Sequence, residues 1–213
     1  MTATERDTPA GTTSDGVTPN GVTPNGVTPN GVAPNGVAPN GITPNGIRLR
    51  GGPGHRGLRG VLGMFATGIT VVTAGDDLPR GMTANSFTSV SLQPPLILVC
   101  VQRDAAMHQA IQECGAFAVS VLSAHQEPVA RHFADRARPR GEEEFALVDW
   151  SPGERTGAPI VADAVAWLEC RLAAVHRGGD HSIFLGQVLS AGRGDGGDAL
   201  LYFAGGFHQL TTS

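Results

Sequence analysis

Two short segments concentrate the residue types that could do chemistry. Gly81-Met82-Thr83-Ala84-Asn85-Ser86-Phe87-Thr88-Ser89-Val90-Ser91 packs hydroxyl and amide side chains around one aromatic, between strongly apolar neighbours. An extended backbone with that density of donors and acceptors suits a flat heteroaromatic ligand carrying a polyol and phosphate tail. A surface turn would not need it. The second segment, Gly178-Gly179-Asp180-His181, sets an imidazole beside a carboxylate just ahead of an apolar run. Such a pair at a strand mouth is either a placed acid, donor or stacking partner, or a strand cap.

Other constellations fall away. Neither Gly-x-Ser-x-Gly nor His-Glu-x-x-His occurs, which removes the nucleophile elbow and the zinc-protease helix. Gly192-Arg193-Gly194-Asp195-Gly196-Gly197 does not lie between a strand and a helix and reads as a hairpin turn. The acidic run Glu142 to Glu144 reads as solvated. His125 and His132 share a helix face but have no acidic or cysteine partner at metal-binding spacing. All fifteen basic residues are Arg. Lysine-based Schiff bases and phosphate loops are therefore excluded, and a phosphate must be held by Arg, hydroxyls or backbone N–H groups. The formal charge of −4 argues against a generic nucleic-acid binder. Cys100, Cys114 and Cys170 form no CxxC pair, no apolar run reaches the roughly 18 residues of a membrane span, and no signal-peptide core opens the chain. A soluble protein of a reducing compartment, the cytoplasm, is expected.

The elements that must position the two segments are legible by period. Leu58, Val61, Leu62 and Phe65 have the spacing of an amphipathic helix, ended by Gly68. Ile69–Thr73, Gly81–Phe87, Leu96–Val101, Phe117–Leu122, Ala166–Leu172, Ile183–Leu189 and Ala199–Phe203 read as strands, with Trp167, Glu169 and Arg171 on an outer face. Thr88–Gln93 reads as a small polar connection, and residues 135–157 as a loop excursion. Short helices are expected at 105–114 and 124–134, the latter with Pro128 in its first turn. Many strands and few helices, not regularly interleaved, predict a closed antiparallel barrel with small helical insertions.

Residues 1–57 differ in kind. They hold 12 of the 30 Gly and 8 of the 15 Pro, and a pentapeptide of the type GVTPN repeats six times from Gly16 to Asn45. One Val or Ile in five residues cannot offset the ordering entropy, so a disordered tail is expected at 1–57 ahead of a single domain at 58–210.

Phe65-Ala66-Thr67-Gly68-Ile69-Thr70-Val71-Val72-Thr73, GMTANSFTSVS at 81–91, Pro94-Pro95-Leu96, Phe117-Ala118-Val119, Trp167-Leu168-Glu169-Cys170 and Gly179-Asp180-His181 occur in that order. Together they resemble the short-chain flavin reductase family, the reductase components of two-component flavin-dependent monooxygenases. The resemblance implies a mainly β, Greek-key split barrel and a homodimer. It also implies a hydride transfer from NADH or NADPH to FMN or FAD, with the reduced flavin passed to a partner monooxygenase. A flavin-binding module without nicotinamide turnover is the alternative. Carried onto this chain, the resemblance places Thr83, Asn85, Ser86, Phe87 and Thr88 on the isoalloxazine and ribityl portions. It runs Cys100, Val101, Gln102 and Arg103 toward the phosphates, sets Thr67 and Gly68 on the opposite wall and Phe133 near the dinucleotide tail, and puts His181, with Asp180, at the nicotinamide. Asp104-Ala105-Ala106-Met107 lacks the hydroxyls often found in the family's phosphate loop. Arg103, the amides opening the 105–114 helix, and Arg131 or Arg136 are then the expected phosphate contacts, with Asp104 pointing away or capping that helix.

Overall fold

A computed structural model describes residues 55–75 and 77–210. The repeats and the rest of residues 1–54, expected to be a disordered tail, lie outside the described residues. The chain begins with helix α1 (His55–Leu62), followed by strands β1 (Thr67–Gly68), β2 (Thr70–Ala74), β3 (Arg80–Ala84), β4 (Thr88–Leu92) and β5 (Pro95–Gln102). Helix α2 (Ala106–Cys114), β6 (Ala116–Val121), a 3-10 turn at Ala124–Gln126 and α3 (Glu127–Ala134) come next. A second 3-10 turn (Gly141–Phe145), β7 (Trp150–Pro152), β8 (Pro159–Val161), β9 (Ala166–Gly178), β10 (His181–Arg193), β11 (Leu200–Phe203) and β12 (Gly206–Gln209) complete it.

Seven strands form one antiparallel sheet in the order β3-β2-β6-β9-β10-β5-β4. Its two edges, β3 and β4, are consecutive in sequence and joined only by Asn85, Ser86 and Phe87. A flat seven-stranded sheet would separate its edges by six strand spacings, about 29 Å. The link reaches at most about 14 Å when fully extended. The sheet must curl into a barrel, and because β3 and β4 do not pair with each other the barrel stays split along that seam. The expected mainly β split barrel is the fold.

Burial follows from the curl. β5 alternates, with Ile97, Val99 and Val101 inside, whereas β2 is buried along its whole length. Val72 joins Val99, Phe117, Val119 and Phe184 in the barrel interior, closed off by Met107 and Ile111 of α2. Val71 faces the other way, into a cluster with Leu122, Ala130, Phe133, Phe145 and Leu200 under α3. A β-branched run without alternation is what a strand covered on both faces requires.

Several expectations need correction. The strand expected through Phe87 ends at Ala84, and the polar stretch expected to be a connection is strand β4, exposed along an edge. The glycine string at 192–197 is no hairpin turn: it leads from β10 into β11, which belongs to a different, three-stranded sheet. Glu169, placed on an outer face, is 1% exposed; its Oε1 accepts hydrogen bonds from Arg155 N–H, Thr156 N–H and Thr156 Oγ1 at 2.8–2.9 Å. The helix stripe is also left open, since Val61, Leu62 and Phe65 are all more than 60% exposed, and α1 begins at His55 rather than at residue 58.

One packing constraint is testable away from the cavity. Gly186 of β10 lies so close to Phe117 that a Cβ would sit 2.5 Å from the ring and 3.0 Å from Cys170 Cβ. Gly186→Ala is expected to lower stability by about 1–3 kcal/mol, the cost of overpacking a filled core. An unchanged thermal or urea midpoint would contradict this packing.

Candidate active site

The seam creates a bonding problem on each side, and side chains solve it. β4 meets β5 only up to the pair Thr88↔Leu98, so the Cys100 backbone beyond it has no strand partner on that side. Ser86 Oγ takes the place of one: it donates to Cys100 C=O and accepts from Cys100 N–H, both at 3.0 Å. On the other side, β3 pairs only with β2 among the described residues. There Gly81 N–H donates to Glu144 Oε1 at 3.1 Å, and Gly81 C=O accepts from Arg138 Nη2. Both are free-edge backbone groups that would otherwise need water or another strand.

Glu144 belongs to the run expected to be solvated. It is instead 1% exposed, with Arg138 Nη2 at 2.8 Å and Arg80 Nη1 at 3.2 Å from its carboxylate. Its own carbonyl bonds His132 Nε2 at 2.8 Å. A buried carboxylate persists only when paired and hydrogen-bonded, and these partners meet that condition. The 135–157 excursion is therefore pinned to β3 and α3. Gly81 is required at this junction, because a Cβ there would overlap the Phe133 ring.

A cavity of about 470 Å³ opens at the seam. Thr83, Asn85 and Ser86 line it from β3 and the link, Cys100 and Gln102 from β5, and Ala105 and Ala106 from the start of α2. Phe133 closes its base, and Arg80, Arg136, Arg138 and Arg140 stand around it with Asp104 and Glu144. Four guanidiniums against two carboxylates give a cationic enclosure, and the volume lies within the roughly 300–1,000 Å³ of small-molecule sites. His181 reaches the same cavity. Register does this: His181 of β10 lies opposite Gln102 of β5, and Arg103 N–H donates to Asp180 C=O at 3.0 Å. Asp180 Oδ1 is 2.8 Å from His181 Nδ1, a contact that orients the imidazole.

The two chemically dense segments thus converge, but not every expected residue takes part. Thr83, Asn85, Ser86, Cys100, Gln102, Phe133 and His181 line the cavity. Thr67 and Gly68 do not; they lie in β1, paired with β11. Phe87 packs against the barrel core, Val101 is fully buried, and Thr88 and Arg103 are exposed outside the lining. Two lining hydroxyls are already engaged, Ser86 as above and Thr83 through its bond to Ala130 C=O at 2.7 Å. Asp104 lines the cavity without capping α2, whose N-cap is Ala105. Arg131 is tied to Glu127 and stacked over Phe207, whereas Arg136 lines the cavity and donates to Gln102 Oε1 at 2.5 Å. Burial pushes the Cys100 thiol up, so it faces the cavity protonated. Arg80, Arg138, Arg140 and Glu144 were missed; the alternating arginines at 136, 138 and 140 ahead of an acid and Phe145 are the only sequence signal for them.

The flavin reductase like domain matches this chain over residues 62–211. The chain belongs to that family. It is 56% identical over 153 residues to a protein of Streptomyces globisporus named NADH-dependent FAD reductase, covering 72% of this chain and 84% of that one. BorF, the flavin reductase component of a bacterial two-component tryptophan halogenase, superposes with a TM-score of 0.71 at 55% identity, covering 74% of this chain and 99% of that one. The NADH:FAD oxidoreductase SgcE6 of Streptomyces globisporus C-1027, solved in complex with NAD and FAD fragments, gives 0.70 at 52% identity, with 74% and 93% covered.

The buried pair makes a direct prediction. Arg138→Leu leaves Glu144 with Arg80 and the Gly81 N–H only, and should cost about 2–3 kcal/mol, below the full penalty for an orphaned buried carboxylate. A urea midpoint equal to wild type would show that the excursion is not pinned this way.

Proposed function

We propose that this protein is an NAD(P)H:flavin oxidoreductase that transfers a hydride from a nicotinamide to FMN or FAD and supplies the reduced flavin to a partner monooxygenase. The observation that carries the reading is the meeting of the Thr83–Ser86 segment and His181 in one cationic cavity. A flavin-binding module without nicotinamide turnover is less favoured, since it would not need an imidazole oriented by Asp180 at that cavity.

The fit to a flavin nucleotide rests on the donor set. When bound, the flavin supplies the electron-accepting ring and the nicotinamide the hydride. The chain's own work is positioning. Asn85 presents a side-chain amide, a hydrogen-bond donor, at the seam. Such donors stabilise negative charge without reorganising during reaction. The amide of Ala106 at the start of α2, together with Arg136, suits a phosphate, whereas the Ala105 N–H already donates to Gln102 C=O at 3.0 Å. Cys100 and Gln102 line the path between them, and Phe133 supplies an apolar base. His181 orients the nicotinamide rather than moving a proton, because hydride transfer itself moves none.

The reading includes a homodimer, supported by the exposed apolar residues Val90 and Leu92 on edge strand β4 and Val175 and Leu189 on the β9–β10 pair. A cytoplasmic location is supported by cysteines that form no disulfide among the described residues. No helix among the described residues is long and apolar enough to cross a membrane. The activity is assigned to the 58–210 domain, with residues 1–57 a low-complexity extension, since the family match begins at Leu62.

Purified protein mixed with NADH or NADPH and with FMN or FAD should consume the nicotinamide, followed by its absorbance band. No flavin-dependent consumption with any combination overturns the reading. His181→Ala should raise KM for the nicotinamide roughly tenfold while KM for the flavin changes far less; an unchanged nicotinamide KM would remove the role given to His181.

A further inference from the structure

Glu144 is the most deeply buried charge at the cavity, and its two guanidinium partners are not equivalent. Arg138 is occupied within the protein on every nitrogen. Its Nε and Nη2 contact Glu144 Oε1, Nη2 also reaches Gly81 C=O, and Nη1 donates to Asp135 C=O at 2.7 Å. Arg80 donates one hydrogen bond, from Nη1 to Glu144 Oε2, and its side chain is 30% exposed at the cavity wall. A guanidinium carries five N–H donors in a planar fork. Among the described residues, those of Nε and Nη2 of Arg80 have no acceptor.

Charge reinforces the asymmetry. Arg138 neutralises Glu144, so the charge of Arg80 is left over at the wall. The group is also pre-oriented, because its anchor is a buried carboxylate pinned by Arg138 and Gly81 N–H. A held guanidinium loses less conformational freedom on meeting an anion than a mobile surface one. Arg136 and Arg140 are exposed and lack such an anchor.

We propose that Arg80 binds a phosphate or pyrophosphate group of the nucleotide in the cavity, and that Glu144 is the positioning residue that holds Arg80 for it. The inference rests on the nucleotide-binding reading above and adds a contact and a positioning device to it. The phosphate has two possible sources, the flavin nucleotide or the nicotinamide dinucleotide.

Equilibrium binding of riboflavin, FMN, FAD and ADP-ribose to the full chain separates the sources, because FMN differs from riboflavin only by the phosphate and ADP-ribose has no nicotinamide. Arg80→Met is expected to weaken the phosphate-bearing partner roughly tenfold or more, the scale of a lost charge-assisted pair, with riboflavin nearly unchanged. Loss confined to FMN and FAD assigns the contact to the flavin phosphate; loss confined to ADP-ribose assigns it to the dinucleotide. Arg80→Lys should recover part of the loss, as a point charge without the fork. Glu144→Gln should reproduce the same selective pattern. Arg80→Met keeps the Arg138–Glu144 pair, so it carries the test even where Glu144→Gln fails to fold. Unchanged affinities for FMN, FAD and ADP-ribose in Arg80→Met overturn the inference, as does a riboflavin loss equal to that of FMN. A wild-type chain that binds none of the four overturns the nucleotide reading itself.

Discussion

The molecule depends on one chain constraint: the two edges of a seven-stranded sheet are tied together by Asn85, Ser86 and Phe87. Curling the sheet satisfies the link but leaves two strand edges facing each other without pairing. Their backbone groups still need partners. On one side Ser86 Oγ substitutes for a strand at Cys100, and on the other Glu144 and Arg138 substitute for a strand at Gly81. The gap kept open between these two substitutions is the cavity.

The same substitutions give the cavity its chemistry. Capping the β3 edge with an acid required burying Glu144, and burying Glu144 required cations beside it. Arg80 and Arg138 meet that demand and leave the wall positive. The register of β5 against β10 then delivers His181 opposite Gln102, so the imidazole joins a site whose other components come from β3, its link and α2. Fold and site are one problem here, since the residues that close the split also shape what can enter it.

What the sequence made legible follows from how local each determinant is. β2, β5 and β6 are runs of β-branched and apolar residues whose burial dominates their behaviour, and all three lie where periodicity placed them. The two chemical segments were legible because unusual density of small polar groups, and a Gly-Gly-Asp-His turn, are local signals. β4 was not, because Thr-Ser-Val-Ser is an exposed edge with no apolar alternation to mark it, and it becomes a strand through its tight hairpin with β5, Leu92 opposite Pro95. Glu144 was read as solvated and Glu169 as facing outward because burial of a carboxylate depends on partners that the fold assembles: Arg80 lies 64 positions from Glu144, and Thr156 lies 13 from Glu169. Likewise, Gly194 and Gly196 are explained only by the Ala164 and Asp163 carbonyls against which they pack, contacts between β9's approach and β10's exit.

In the function proposed above, the split of the barrel is where the flavin binds. A crystal structure of the chain with FAD tests it most directly. The isoalloxazine ring is expected inside the cavity, against Thr83 to Ser86 and within reach of His181. Flavin seated elsewhere, with the space between β3, β5 and α2 filled by side chains, would contradict it.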